Sequence, residues 1–200
     1  VTGIDLVQWQ LRIAAGERLP FTQEEIQPRG WAIECRITSE DALGGFLPST
    51  GTISWVHIPA GPGIRWDGGV EAGSEISLFY DPMIGKLIVH APTRDAAIAR
   101  MQRALDELTI AGVDTSRDFH LRLMEDDEFR SGAIDIQWLE RKLPEILGKR
   151  APADAERIAA ITAALLAESD RSAPRAGSAA AATQSQPSAW LQTARTEGLR

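Results

Sequence analysis

The sequence predicts an α+β fold: an antiparallel sheet or small barrel-sandwich-like β core, with flanking helices and a disordered C-terminal linker. Three observations carry this expectation. Between residues 30 and 92, apolar residues alternate in short runs separated by glycine and proline, which is the mark of strands joined by tight turns. After Thr93 the apolar period lengthens, with Ile98, Met101, Leu105 and Leu108 falling on one helical face. From Ser172 to Ser188 the chain is alanine, serine, glutamine, glycine and proline with no large apolar residue, so no core can form there.

The totals bound the function. Of the 200 residues, 44% are hydrophobic and 24% charged, enough for one medium domain with appendages. The net charge of −7 argues against a general nucleic-acid binder. From Arg171 onward there are four arginines and one glutamate, so residues 1–170 carry −10. The single cysteine excludes an internal disulfide framework and a multi-cysteine metal site. No apolar run reaches the length of a membrane span and no secretory leader is visible, so the expectation is a soluble cytoplasmic protein. The chain opens on Val1 and enters a helix at once, which reads as a piece of a longer protein.

In chain order, Thr2-Gly3-Ile4-Asp5 matches a capping box and predicts a helix over 3–15, with Leu6, Trp9 and Ile13 on one face and Gly16 as the stop. Residues 17–29 are polar, with Pro20 and Pro28, and read as a connection. Over 30–37, Trp31, Ile33, Cys35 and Ile37 face one side of a strand, and Ala32, Glu34 and Arg36 the other. Residues 39–51 are turn-rich, 52–58 read as one strand, and 64–66 as a short strand followed by a turn at 67–69. Another strand covers 83–90 and closes at Pro92. Thr93 caps the long helix, a short strand fits 109–111, and Gly112 ends that stretch. Helices are expected at 117–124, 126–130 and 135–143, the last stopped by Pro144. A further helix follows Pro152, with Ile158, Ile161 and Leu165 on one face.

Candidate chemistry gathers around the sheet. Arg36 stands on a strand, where the ladder fixes its base, and so makes a better-placed oxyanion ligand than an arginine on a loop. A surface arginine paired with Glu34 is the competing reading. Asp81 precedes Pro82 and is thereby held extended, beside the strand that follows. Gly85-Lys86 is no phosphate-binding loop, because Tyr80 and Leu87 stand where glycine and Ser/Thr are required. Lys86 then reads as a polar strand position. His57, His90 and His120 lie on separate elements without metal-ligand spacing and read as surface or sheet histidines. Cys35 reads as a small core residue.

Gly30-Trp-Ala-Ile-Glu-Cys-Arg-Ile with Glu40-Asp41, Phe46-Leu-Pro-Ser-Thr-Gly51, Gly63-Ile-Arg-Trp66 and Tyr80-Asp-Pro-Met-Ile-Gly-Lys-Leu87 resemble, in order and spacing, the C-terminal domain of biotin carboxylase. Leu11-Arg-Ile-Ala-Ala-Gly16 and Arg94-Asp-Ala-Ala-Ile-Ala-Arg-Met101 extend the likeness on either side. The resemblance covers residues 1–148. It leaves 149–170 as an extra helix, 171–189 as the disordered linker and 190–200 as a short basic terminal segment, a tail similar to extensions of bacterial acyl-CoA carboxylase subunits.

The resemblance implies an ATP-dependent ligase, incomplete in this chain. It would use ATP, magnesium and bicarbonate to carboxylate biotin on a carrier protein or domain. The partners would be that carrier, a carboxyltransferase and a second copy of the subunit, with no nucleic acid and no membrane. It implies that Arg36 touches the biotin ureido oxygen and bicarbonate, that Asp81 and Glu34 orient, and that Arg65 and Pro62 lie at the homodimer contact. No metal ligand is implied in this stretch, because ATP and metal belong to a separate ATP-grasp domain expected before Val1. Gly44-Gly45 departs from the family's proline-containing loop. A non-catalytic dimerisation or carrier-docking module on the same fold remains the alternative, and another ATP-grasp ligase a weaker one.

Overall fold

The computed structural model describes residues 1–148 and 153–172. They belong to two compact units, one ending at Lys149 and one starting at Arg150. In the first unit, strands β1 (Trp31–Thr38), β2 (Glu40–Asp41), β3 (Leu47–Pro48), β4 (Gly51–Thr52), β5 (Trp55–His57), β6 (Ile64–Gly68), β7 (Glu75–Ile76), β8 (Met83–Ala91) and β9 (Thr109–Ala111) alternate with helices α1 (Leu6–Ala14), α2 (Arg94–Glu107), α3 (Arg117–Met124), α4 (Asp127–Ser131) and α5 (Trp138–Gly148). Helix α6 (Ala153–Ser172) belongs to the second. Residues 173–189 of the expected linker and the segment 190–200 lie outside the described residues.

The centre is an antiparallel sheet in the order β1-β8-β6, flanked by the two-stranded ribbons β2–β3, β4–β7 and β5–β9. The fold is α+β, but among the described residues no sheet closes into a barrel. The sequence of short strands is compatible with either outcome, and the chain instead distributes them over separate ribbons. Cys35 and Ile37 from β1 and Leu87 and Val89 from β8 point to one side of the sheet, where Ile98, Met101 and Leu105 of α2 cover them completely. Trp31 shares that side but is 49% exposed at the end of the strand, where the Arg94 guanidinium at the start of α2 lies 5.7 Å from the centre of its ring.

Four boundaries differ from the expectation. Strand β6 runs on to Gly68 where a turn at 67–69 is expected, because Asp67 and Gly68 stay paired with Lys86 and Gly85 of β8. Helix α1 starts at Leu6, not residue 3: the Asp5 carboxylate accepts the Gln8 N–H at 2.9 Å and is itself the N-cap, while Thr2 bonds only Ile4. The 52–58 run is two strands, since the chain changes partner between them. Ile53 donates to Ser74 on the β7 side and Ser54 to Ala111 on the β9 side. Pro144 lies inside α5 and does not stop it. Arg122 holds the far end of that helix by donating to the carbonyls of Ile146 (3.1 Å) and Leu147 (2.8 Å). Packing of Ile146 and Trp138 against Phe119 outweighs the one bond that proline removes.

Arg122 is one of four arginines that join the helices in this way; Arg130 of α4 donates to the Met124 carbonyl at the end of α3 at 3.3 Å. Arg94 of α2 donates to the carbonyls of Phe129 and Arg130 at the end of α4. Arg117 of α3 donates to Leu105 (2.6 Å) and Asp106 (3.3 Å) at the end of α2. Each guanidinium satisfies carbonyls that have no partner within their own helix.

Cys35 is 2% exposed, and burial with the nearby Glu34 charge pushes its thiol up to about 12. The folded protein is therefore expected to resist thiol alkylation at pH 8 and to react once unfolded in urea. Rapid labelling of the native state would overturn the packing described for β1.

Candidate active site

Pleat and register together build the open face of the sheet. Opposite the core side, β1 presents Ala32, Glu34 and Arg36, β8 presents Lys86 and Ile88, and β6 presents Arg65 and Asp67. Arg36, Lys86 and Asp67 stand in one rung, and Glu34, Ile88 and Arg65 in the next. The sheet thus sets two cations directly across from each other at Arg36 and Lys86, an arrangement that repels unless anions lie nearby. The reading of Lys86 as a polar strand position missed this pairing, which becomes visible only with the register.

The two arginines of this face differ in their engagement. Arg65 forks onto Asp67, with Nε 2.7 Å from Oδ1 and Nη2 2.8 Å from Oδ2. That hydrogen-bonded pairing holds the Asp67 carboxyl below its usual range. Arg36 has no such partner among the described residues. Its Nε lies 3.6 Å from Glu34 Oε1, beyond hydrogen-bond length, and its side chain is 68% exposed. Its main chain, in contrast, is held firmly. The Arg36 carbonyl accepts from Ser116 Oγ (3.1 Å) and from His120 Nε2 (2.8 Å), at the start of α3. Next to it the Thr38 N–H donates to Ser116 Oγ, and the Ser116 N–H donates to the Thr38 carbonyl.

Asp81 is exposed at the head of β8, where its Oδ1 accepts the Met83 N–H at 2.8 Å. Among the described residues no ion pair joins it to Arg36; it stiffens the start of the neighbouring strand instead. Before it, Leu78, Phe79 and Tyr80 are 69%, 97% and 87% exposed. Pro62 is exposed in the turn that precedes β6, with Arg65 three residues on. Among the described residues no group of three His, Cys, Asp or Glu side chains is arranged to hold a metal ion, and no helix is long and apolar enough to cross a membrane.

His120 corrects the reading of the histidines as surface or sheet residues. It sits on α3 with its Nε2 on the Arg36 carbonyl and its Nδ1 buried without a hydrogen-bond partner. Burial lowers its pKa, so the ring is neutral at pH 7, and a bond to a carbonyl requires the proton to be on Nε2. Only the 84-residue separation between these partners hid the contact from the sequence.

Known proteins agree with this architecture. The 2-oxoglutarate carboxylase small subunit of Hydrogenobacter thermophilus is 42% identical over 167 residues, covering 84% of this chain and 35% of that protein. Biotin carboxylase of Haemophilus influenzae is 48% identical over 143 residues, 72% of this chain and 32% of that protein. The solved biotin carboxylase domain dimer of the Hydrogenobacter enzyme, in complex with MgADP, ADP and bicarbonate, superposes with a TM-score of 0.70 at 44% identity, over 76% of this chain and 33% of that one. The chain therefore spans about a third of the length of the curated relatives it matches. The model of the biotin carboxylase C-terminal domain family matches residues 34–141, more than half of the chain, and this chain belongs to that family.

Proposed function

We propose that the chain is the C-terminal part of a biotin carboxylase subunit and that Arg36 lines the place where carrier-bound biotin meets bicarbonate. The observation behind this is the Arg36 guanidinium: rooted in a strand, exposed, and without a bidentate partner, beside a second cation at Lys86. A planar donor that stays charged at any working pH suits a carbonyl oxygen on which charge develops, or a bicarbonate. Biotin, when bound, supplies a ureido nitrogen that accepts the carboxyl group while negative charge gathers on the ureido oxygen. Arg36 donates to that oxygen and favours the transition state over the ground state. Glu34 restrains the Nε side of the guanidinium, and Asp81 fixes the head of the strand that carries Lys86; both are orienting groups.

ATP and magnesium fall to the ATP-grasp portion of the subunit, so the 200 residues alone are expected not to turn over ATP. Biotin- and bicarbonate-dependent ATP hydrolysis by the isolated chain would overturn that division. The working assembly adds a biotin carrier, a carboxyltransferase and a second subunit, with Arg65 and Pro62 at the contact, in the cytoplasm. The carboxyltransferase selects the acceptor. An acyl-CoA is the one the sequence points to, while relatives named for 2-oxoglutarate and pyruvate add 2-oxo acids to the candidates.

The test is Arg36→Ala in the full-length subunit. Loss of biotin carboxylation with ATP binding kept supports the reading. Carboxylation close to wild type would favour a non-catalytic dimerisation or docking module instead.

A further inference from the structure

We infer that His120 is a positioning residue for Arg36: its Nε2–H, together with the Ser116 hydroxyl, grips the Arg36 carbonyl and sets the pose of the guanidinium on the open face. The inference rests on the role proposed above for Arg36. The two donors approach at 2.8 Å and 3.1 Å from the side of β1 that faces away from β8. There β1 is the border of the sheet and has no strand to bond. The start of α3 takes that strand's place at Arg36 and Thr38 through four hydrogen bonds.

The arrangement is more than packing. A ring placed only to fill space would leave no polar atom stranded, and a leucine would fill it as well. Here Nδ1 is buried without a partner, and the ring is placed so that its other nitrogen reaches one particular carbonyl. That carbonyl belongs to the residue whose side chain faces the reacting group. Its peptide plane fixes the direction in which the Arg36 side chain leaves the strand. Without the grip, the edge of β1 can rotate about its own axis and carry the guanidinium out of line.

Displacement of about 1 Å at a reacting centre costs about a hundredfold in rate. His120→Leu in the full-length subunit is accordingly expected to lower kcat for biotin carboxylation about tenfold to a hundredfold, with the KM for ATP unchanged. His120→Gln, whose amide nitrogen reaches the same carbonyl, is expected to restore most of the loss; a role in packing alone would give no such rescue. If His120→Leu does not fold, Ser116→Ala decides, since it removes the second donor and leaves the ring: reduced kcat supports the grip, wild-type kcat overturns it. Wild-type kcat in His120→Leu, or equal impairment of the Leu and Gln variants, overturns it as well. Arg36→Ala run alongside separates the two claims. Loss in Arg36→Ala with full activity in His120→Leu removes only the positioning role, whereas full activity in Arg36→Ala removes the reading of Arg36 and this inference with it.

Discussion

A full-length subunit carrying Arg36→Lys is expected to carboxylate biotin about a hundredfold more slowly than wild type, close to the loss of about 10²–10³ expected for alanine. The charge is conserved, so a purely Coulombic role would predict a mild defect. Arg36, however, has only the loose 3.6 Å contact with Glu34 and is exposed on a fixed strand base, a placement that makes use of direction as well as charge. The guanidinium offers a rigid planar fork that can meet two oxygens at once; an ammonium is a compact, strongly hydrated point charge on a flexible stem. Lysine would also stand across from Lys86 without the delocalisation that eases the crowding of two cations. Steady-state kinetics with free biotin, alongside an ATP-binding measurement, checks this. A lysine variant within a few-fold of wild type would show that position 36 contributes only field.

Gly112→Ala is expected to destabilise the fold by about 3 kcal/mol. Gly112 has φ 110°, a region that side-chain-bearing residues rarely enter. A Cβ there would run into the Thr52 carbonyl oxygen and lie 3.0 Å from the Ser54 nitrogen, both main-chain atoms that no rotamer change can move aside. The residue sits where the chain passes from its β7 partner to its β9 partner, so relief of the clash would pull β5 away from β9. Thermal unfolding of the full-length subunit provides the measurement, and a change below about 0.5 kcal/mol, the range of a neutral surface substitution, would contradict the geometry.

Much of this was legible in the sequence, for identifiable reasons. The strands around Arg36 and Lys86 and the helix after Thr93 bury one face each, so their periodicities state their type and their inward residues directly. The ribbons were not legible. β2, β3, β4 and β7 are two residues long, too short for any period, and Ile53 is buried at the point where one apparent strand becomes two. Pro144 misled because helix propensity was read without the packing of Ile146 and the arginine at the helix end. In the candidate site, Arg36 stood out by its place in an alternating run. Lys86 was visible as one of the charges around the sheet, but its place directly across from Arg36 comes from register, and Ser116 and His120 come through a contact spanning about eighty residues.

The helix-joining arginines divide the protein into regions with different responses to ionic strength. Arg94, Arg117 and Arg122 bind main-chain carbonyls at short range from partly buried positions, and added electrolyte has little to screen there. The pairs on the open face, Arg36 with Glu34 and Arg65 with Asp67, are exposed and weaken as counterions accumulate. A concentrated salt solution thus frees the guanidiniums of the sheet while the helical layer beneath keeps its joints.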